Sequence, residues 1–462
     1  MFNIFKRRLP TSLRYLNHAK VDSEVHRRTF YATAPPHVFK AAWMPMRVKT
    51  PFIDALTESR EQAKRGGAAG QDVSAPKPDL TPRRMSDSYF AAVLPLAQDK
   101  WLLDQYLNAS GRIRLGSLFM DLDAMAGVIA YRHTGDSVMT VTAAADRISL
   151  LNPLKEICDL ELSGRVTYAT GRSSMEVSMQ VAKAPKDGQK PKPEDVLLSC
   201  AFTMVSLDPV TKKPVAIAPI RLETEEERRL FQNGEENYKA KKAARNQNLQ
   251  ERAPNDEEAD MIHAMWKIEN ELNNSNIPRP DNIIPMSSTK LESTMLMQPE
   301  DRNRHNFMIF GGFLLKHTFE LAFCCASSFA KGRPTFISLD PSTFENPVPV
   351  GSMLYLRAVV AYTDPPLLHG IITEQRDQQQ QHQQSRKYTR VQVRVESQVR
   401  DIETGQMKPT GVFNYTFIVP KEIHVMPKTY AEFMVWVDAR RRAMHMDPSL
   451  AEKFPEFDRA TE

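Results

Sequence analysis

The sequence predicts an α+β fold built twice in tandem, each copy a curved antiparallel sheet wrapped around one central helix. Three features lead to this reading: a helix that is apolar on every side, a second copy of it upstream, and long strand-like segments after each. In HNFMIFGGFLLKHTFELAFCCASSFA, His305 to Ala330, a glycine pair, Gly311 and Gly312, is followed by Lys316, His317, Thr318 and Glu320, with no charge between Glu320 and Lys331. A helix without a polar face has to be enclosed by protein. Upstream, GRIRLGSLFMDLDAMAGVIAYRH, Gly111 to His133, repeats the design with Gly116, Asp121, Asp123 and an apolar run from Ala124 to Tyr131.

The duplication extends past the helices. Asp146, Asn152, Pro153, Val166 and Tyr168 recur as Asp340, Asn346, Pro347, Val360 and Tyr362, each 194 residues on. Thr203 answers Thr416 at an offset of 213, so the second copy has 19 extra residues, which fall in the Gln-rich run between Glu374 and Lys387. Two copies of this length form a pseudo-dimer, not a solenoid.

In chain order, residues 1–35 hold seven Lys and Arg against two acids, which accounts for the whole net charge of +5 among 462 residues. This acid-poor segment, mixing Arg with Ser and Thr, reads as a mitochondrial presequence and places the mature protein in the matrix. Residues 36–85, rich in Pro, Gly and charge, read as a flexible lead-in. The first copy occupies 86–220, with strands expected in SYFAAVLPL, VMTVTAAADRISLL, DLELSGRVTYAT, SSMEVSMQVAKA and DVLLSCAFTMVSLD, whose alternation suits a sheet with one face on a core. A charged, solvated helical connector is expected over 221–284 and the second copy over 285–420, including the Gln-rich loop at 374–387. A helical tail, 421–462, follows.

Several classes are disfavoured. The charge outside the N-terminus is balanced, which gives nucleic acid no basic surface. No uncharged apolar run is long enough for a transmembrane helix. The four cysteines, Cys158, Cys200, Cys324 and Cys325, lack metal spacing and read as buried thiols. Metal clusters, P-loops and serine elbows are absent from the motifs, so neither a metal nor a cofactor is expected.

The chemistry points to the helix starts. Asp123 lies eight residues after Leu115 and Glu320 nine after Gly311, so each copy carries a carboxylate about two turns into a buried helix. Such a group can hold and deprotonate water while the unpaired N–H groups at a helix start, near Gly116 or near Gly311 and Gly312, polarise a carbonyl oxygen. The pair suits hydrolysis of an ester or thioester without a nucleophilic serine. A buried acid at a helix start is equally read as a cap or a hydrogen-bonded structural group.

IFGGFL followed by ELAF, ENPVPVGSMLYL, KLES and PEDRN ahead of the helix, and EEADMIHAMW in the connector resemble the double hotdog acyl-CoA thioesterases, most closely their mitochondrial branch, over Ser86 to Val435. The resemblance implies two hotdog domains side by side, hydrolysis of acyl-CoA to fatty acid and CoA at their interface, and a homo-oligomer. It also implies an Asp on one helix acting with an Asn ahead of the other. Asp123 matches the Asp. Asn306 matches the Asn if one residue is inserted, and His305 is its polar neighbour. The pseudo-symmetric site would use Glu320 with Asn108 or Arg112. The alternatives are a non-catalytic acyl-CoA-binding or scaffold protein and a dehydratase using His317 with Glu320.

Overall fold

The structure, a computed structural model, describes residues 39–40, 78–154, 156–185, 191–245, 253–274, 278–303, 308–364 and 388–444. The presequence, most of the lead-in, the Gln-rich loop, and both His305 and Asn306 lie outside the described residues. The first half contains β1 (Phe39–Lys40), β2 (Arg83–Arg84), α1 (Met85–Ser88), β3 (Phe90–Leu94), α2 (Lys100–Tyr106), α3 (Leu115–Thr134), β4 (Met139–Leu150), β5 (Leu160–Ala169), β6 (Ser174–Lys183), β7 (Val196–Leu207) and β8 (Ile220–Arg221). Two helices follow, α4 (Glu225–Arg245) and α5 (Asp256–Asn274). The second half has β9 (Ile283–Pro285), β10 (Leu291–Leu296), α6 (Gly311–Ala330), β11 (Thr335–Leu339), β12 (Ser342–Thr343), β13 (Met353–Asp364), β14 (Thr389–Arg400), β15 (Met407–Val419), β16 (His424–Met426) and α7 (Tyr430–Met444).

Among the described residues one 12-stranded, mostly antiparallel sheet runs β1-β3-β5-β6-β7-β4-β11-β15-β14-β13-β10, with β12 beside β4. The two halves use the same order, β3-β5-β6-β7-β4 and β10-β13-β14-β15-β11, and meet where β4 pairs β11 through Ile148 with Leu339. They therefore share one sheet, and Phe39–Glu462 is a single compact unit. The strand periodicity turns alternate residues toward the central helices: Tyr415 and Phe417 of β15 pack on Phe319 of α6, while Phe202 of β7 is fully buried in the same core. Each central helix has 20 residues; α3 is buried over most of its circumference, as its composition requires, whereas α6 leaves Phe313, Leu321 and Phe323 half-buried and Cys324 exposed.

The halves also share their irregularities. Pairing of β5 with β6 shifts register between Val166 and Tyr168, and that of β13 with β14 shifts between Val360 and Tyr362. At each bulge a buried hydroxyl takes the backbone N–H: Val166 donates to Ser88 Oγ and Val360 to Thr289 Oγ1, both at 3.0 Å. Those hydroxyls in turn donate to the carbonyls of Met85 and Met286 at 2.9 and 2.8 Å.

Three expectations change. Within the expected flexible lead-in, β1 pairs β3 and β2 pairs β8, because extended backbone there completes neighbouring strand edges. The connector is helical but not merely solvated: Gly234 lets α4 approach so closely that a Cβ there would meet Tyr168 Cβ at 2.6 Å. Of the four thiols, all free, Cys200 and Cys325 are buried, Cys158 is partly so, and Cys324 is exposed. Among the described residues no helix is long and apolar enough to cross a membrane.

Removing either bulge hydroxyl leaves a buried N–H without a partner. Ser88→Ala and Thr289→Val should each lower unfolding stability by about 1–3 kcal/mol, measured by urea denaturation, with no change in the fold by circular dichroism.

Candidate functional site

α3 and α6 pack antiparallel, with Phe119 and Phe319 edge to face at 5.0 Å, so each helix start reaches the middle of the other helix. Gly311 abuts Asp123: a Cβ there would lie 3.0 Å from Asp123 Oδ2. Gly312 is tighter, its Cβ position falling 2.8 Å from the Met120 carbonyl oxygen. At the other end Gly116 stands against Glu320, with 3.3 Å from its Cβ position to Oε1. The sequence-derived glycines and carboxylates are thus brought together in two places, by crossed contacts between the halves.

Only one of the two places holds a poised acid. Asp123 is 1 % exposed. Its Oδ1 accepts a 2.7 Å hydrogen bond from Thr142 Oγ1 on β4, while Oδ2 is buried without a partner. Burial raises its pKa to about 6, against the Thr142 hydrogen bond and the Gly312 N–H, which favour the charged form. The N-cap of α6, Phe310, supplies no side-chain acceptor, so first-turn N–H groups face the carboxylate without a capping side chain. Asp121, two residues earlier and on the opposite side of the helix, accepts from the Tyr106 hydroxyl. Burial lifts its pKa to about 8, so it is largely neutral at pH 7 and is no match for Asp123 as a base.

Glu320 differs. It accepts from Arg114 Nε and Nη2 at 2.9 and 2.5 Å, so its partner is Arg114 and not the expected Arg112. Arg114 is the N-cap residue of α3, which places its guanidinium beside Gly116. Asn108, the other expected partner, turns its Oδ1 to the N–H groups of Ser110 and Arg112 at 2.9 and 3.1 Å. His317 packs on Phe313 with ring centres 4.2 Å apart, and burial lowers its pKa. Glu320 is held in an ion pair with Arg114, so His317 and Glu320 are not set up as an acid–base pair.

Matching the halves element by element shows what the sequence offset concealed. α3 and α6 superpose at an offset of 196, which sets Phe319 where Asp123 stands. Thr142 pairs Met204, and Phe336 pairs Phe417, so Phe336 takes the station of Thr142. The acid and its hydrogen-bond donor are therefore replaced in the second half by two phenyl rings, 5.5 Å apart and edge to face. Glu320 is one residue out of register with Asp123.

The same matching aligns the loops ahead of the two helices. Leu107 bridges Ile113 ahead of α3, and Arg302 bridges Ile309 ahead of α6. Asn108 donates its N–H to Arg112 O at 2.8 Å, and Asn303 donates to Met308 O at 2.7 Å. Asn303 is thus the counterpart of Asn108, in a loop one residue longer. The signal was the shared Asn ahead of the glycine, hidden by that insertion. Among the described residues no three or more His, Cys, Asp or Glu side chains gather into a metal site.

No known family profile matches the chain. It is 33% identical over 373 residues to the mitochondrial acyl-coenzyme A thioesterase 9 of Homo sapiens, covering 78% of each. To the mitochondrial acyl-coenzyme A thioesterase 10 of Mus musculus it is 32% identical over 391 residues, 81% of this chain and 82% of that one. Among solved structures, an acyl-CoA hydrolase from Bacillus cereus is 20% identical with a TM-score of 0.29, over 37% of this chain and 94% of that one. A hexameric acyl-CoA thioesterase in its apo form is 23% identical with a TM-score of 0.29, over 36% and 94%. With relatives of this identity matched over most of their length, and a buried acid set against a helix start, the chain belongs to the acyl-coenzyme A thioesterases and is an acyl-CoA thioester hydrolase.

Proposed function

We propose that the chain hydrolyses fatty acyl-CoA at one site per chain, where the start of α6 meets Asp123, and that each half is a hotdog domain. The observation that carries this reading is the unpartnered, buried Asp123 Oδ2 beside Gly311 and Gly312. Asp123 takes a proton from water, and the oxygen attacks the thioester carbonyl. The carbonyl oxygen becomes an oxyanion, held by first-turn N–H groups of α6. Collapse expels the CoA thiolate, which takes back the proton, leaving a fatty acid and CoA. No cofactor enters, CoA being part of the substrate.

Asn306, with His305 beside it, remains the amide assigned to this site, and Asn303, whose backbone holds the station of Asn108 in the second half, is a further candidate. The matching position across the helix pair has lost its acid to Phe319, and Arg114 occupies Glu320, which supports a single working site. The mitochondrial names of the relatives and the acid-poor residues 1–35 support action in the mitochondrial matrix. Neither nucleic acid nor a membrane span is part of this reading, and the protein acts as a homo-oligomer.

Free-thiol release from acyl-CoAs of several chain lengths tests the activity. Asp123→Asn should lower kcat by roughly 100-fold or more, and absence of an effect would remove Asp123 from the reaction. Wild-type kcat should rise with pH through about 6 as Asp123 ionises, and the variant should lack that limb.

Because burial holds the folded pKa of Asp123 at about 6, above its ordinary 3.8, its contribution to stability is greatest below that ordinary value and is lost as pH rises through the folded one. Asp123→Asn should then be more stable than wild type at pH 7 by roughly 2–3 kcal/mol in urea denaturation.

Asn306→Ala should cost roughly 10-fold or more in kcat, Asn303→Ala tests the further candidate on the same scale, and Glu320→Gln should stay within a few-fold of wild type. A large loss on Glu320→Gln with none on Asp123→Asn would move the site to the other helix start.

A further inference from the structure

The outer face of each half of the sheet carries the same Asp and Thr, buried or half-buried under a helix, yet the two copies are completed differently. In the first half Lys241 of α4 sends its ammonium between them: Nζ lies 2.7 Å from Asp146 Oδ1 and donates to Thr203 Oγ1 at 2.8 Å. Thr203 Oγ1 in turn donates to Asp146 Oδ2 at 2.7 Å. A positive charge beside Oδ1 and a hydroxyl on Oδ2 thus offset the burial of this carboxylate, although Oδ1 makes the ion pair without a hydrogen bond.

In the second half the counterparts are Asp340 and Thr416, and α7 covers them. The register sets Gln392 directly across from Thr416 and Arg394 across from Asn414, while the Asp340 N–H donates to the Asn414 carbonyl at 2.9 Å. Tyr415, between Asn414 and Thr416, points the other way, toward Thr318 of α6. Asp340, Asn414, Thr416 and Gln392 therefore share the outer face. Gln392 is 3 % exposed, Asn414 8 % and Thr416 1 %. Asp340 Oδ2, Asn414 Oδ1, Thr416 Oγ1 and both polar atoms of the Gln392 amide are buried without a hydrogen-bond partner in the protein. More such atoms gather here than anywhere else among the described residues.

The nearest cation reaches only one member of this set. Arg442 of α7 forms its close ion pair with Asp438, one turn back on the same helix, and a longer one with Asp340, its Nε 3.5 Å from Oδ2, while Nε and Nη2 make no hydrogen bond; Arg147 is the other positive charge acting on Asp340.

We propose that the second half binds a monovalent cation of potassium or ammonium size between the outer face of its sheet and α7, at the place the first half gives to the ammonium of Lys241. The ligands are Asp340 Oδ2, Thr416 Oγ1, Asn414 Oδ1 and Gln392 Oε1. One carboxylate with neutral oxygens is the set a hard univalent ion takes, while Ca²⁺ draws on more carboxylates and Mg²⁺ keeps a strict octahedron. Water in the ion's shell accepts from the donors left over, Gln392 Nε2 and Arg442 Nε and Nη2. The ion ties α7 to β14 and β15, so its effect is on the stability of the second half and not on the chemistry at Asp123.

The test is thermal unfolding of the full chain at constant ionic strength, with potassium chloride replaced stepwise by choline chloride. The melting temperature should rise with potassium and saturate, and lithium should not substitute. Equal response to all three salts, or none, overturns the proposal and leaves ordered water only. Thr416→Val should raise the half-saturating potassium concentration by roughly 10-fold through loss of one oxygen contact, and Thr203→Val should leave it unchanged. If Thr416→Val does not fold, crystals of the wild type grown in rubidium decide. An anomalous peak among Asp340, Asn414 and Thr416 supports the site, and its absence rejects it.

Discussion

The close approach of two buried helices at a glycine pair is the constraint on which the rest depends. A Cβ at Gly312 would meet the Phe310 ring at 2.6 Å and the Met120 carbonyl at 2.8 Å, and one at Gly311 would crowd the Asp123 carboxylate. Glycine at both positions lets the first turn of α6 rest against the middle of α3. That contact buries Asp123, raises its pKa and supplies the N–H groups that make an ionised carboxylate there tolerable. Neither half can produce this arrangement alone, since the acid belongs to one and the helix start to the other. The shared sheet, joined at β4 and β11, fixes their spacing.

The duplicated halves have kept their backbone devices and parted in their side-chain chemistry. Bulges, hydroxyl caps and the Asn-led loops before the helices recur because a buried N–H or C=O must be satisfied whatever the side chains do. A buried acid is different. It costs the folded state stability, so a copy that does not use it is better served by packing. Phe319 and Phe336 do that in the second half, joining Phe119, Tyr415 and Phe417 in an aromatic cluster of edge-to-face and tilted rings.

The outer layer follows the same logic with different solutions. α4 lies on the first half of the sheet by virtue of Gly234, with Phe231 against Tyr168 at 4.8 Å between ring centres and Lys241 reaching a buried carboxylate. α7 lies on the second half through Trp436, packed edge to face on Tyr362 at 5.3 Å. α5 then braces α7 through Glu258 with Arg441 and Glu257 with Arg440. Charge that looks evenly solvated along the sequence is in part directed inward, onto polar positions of the sheet that the strand pattern leaves facing out.

By itself the sequence determined what depends on local pattern. The period-2 strands, the all-round apolar helices and the repeat at a fixed offset need no tertiary information, because hydrophobic period and element length follow from the backbone alone. It also singled out Asp123 and the glycines, since an acid on an apolar helix stands out wherever the helix packs. The tertiary structure decided which groups meet. Linear offsets drift by two residues between helix and strand, so Glu320 read as the mate of Asp123 until α3 and α6 set Phe319 in that place. A one-residue difference in loop length kept the backbone match of Asn303 with Asn108 from being read in the sequence. Arg114, Thr142 and Lys241 act on partners 206, 19 and 95 residues away, pairings that exist only once the helices cross and the sheet closes around them.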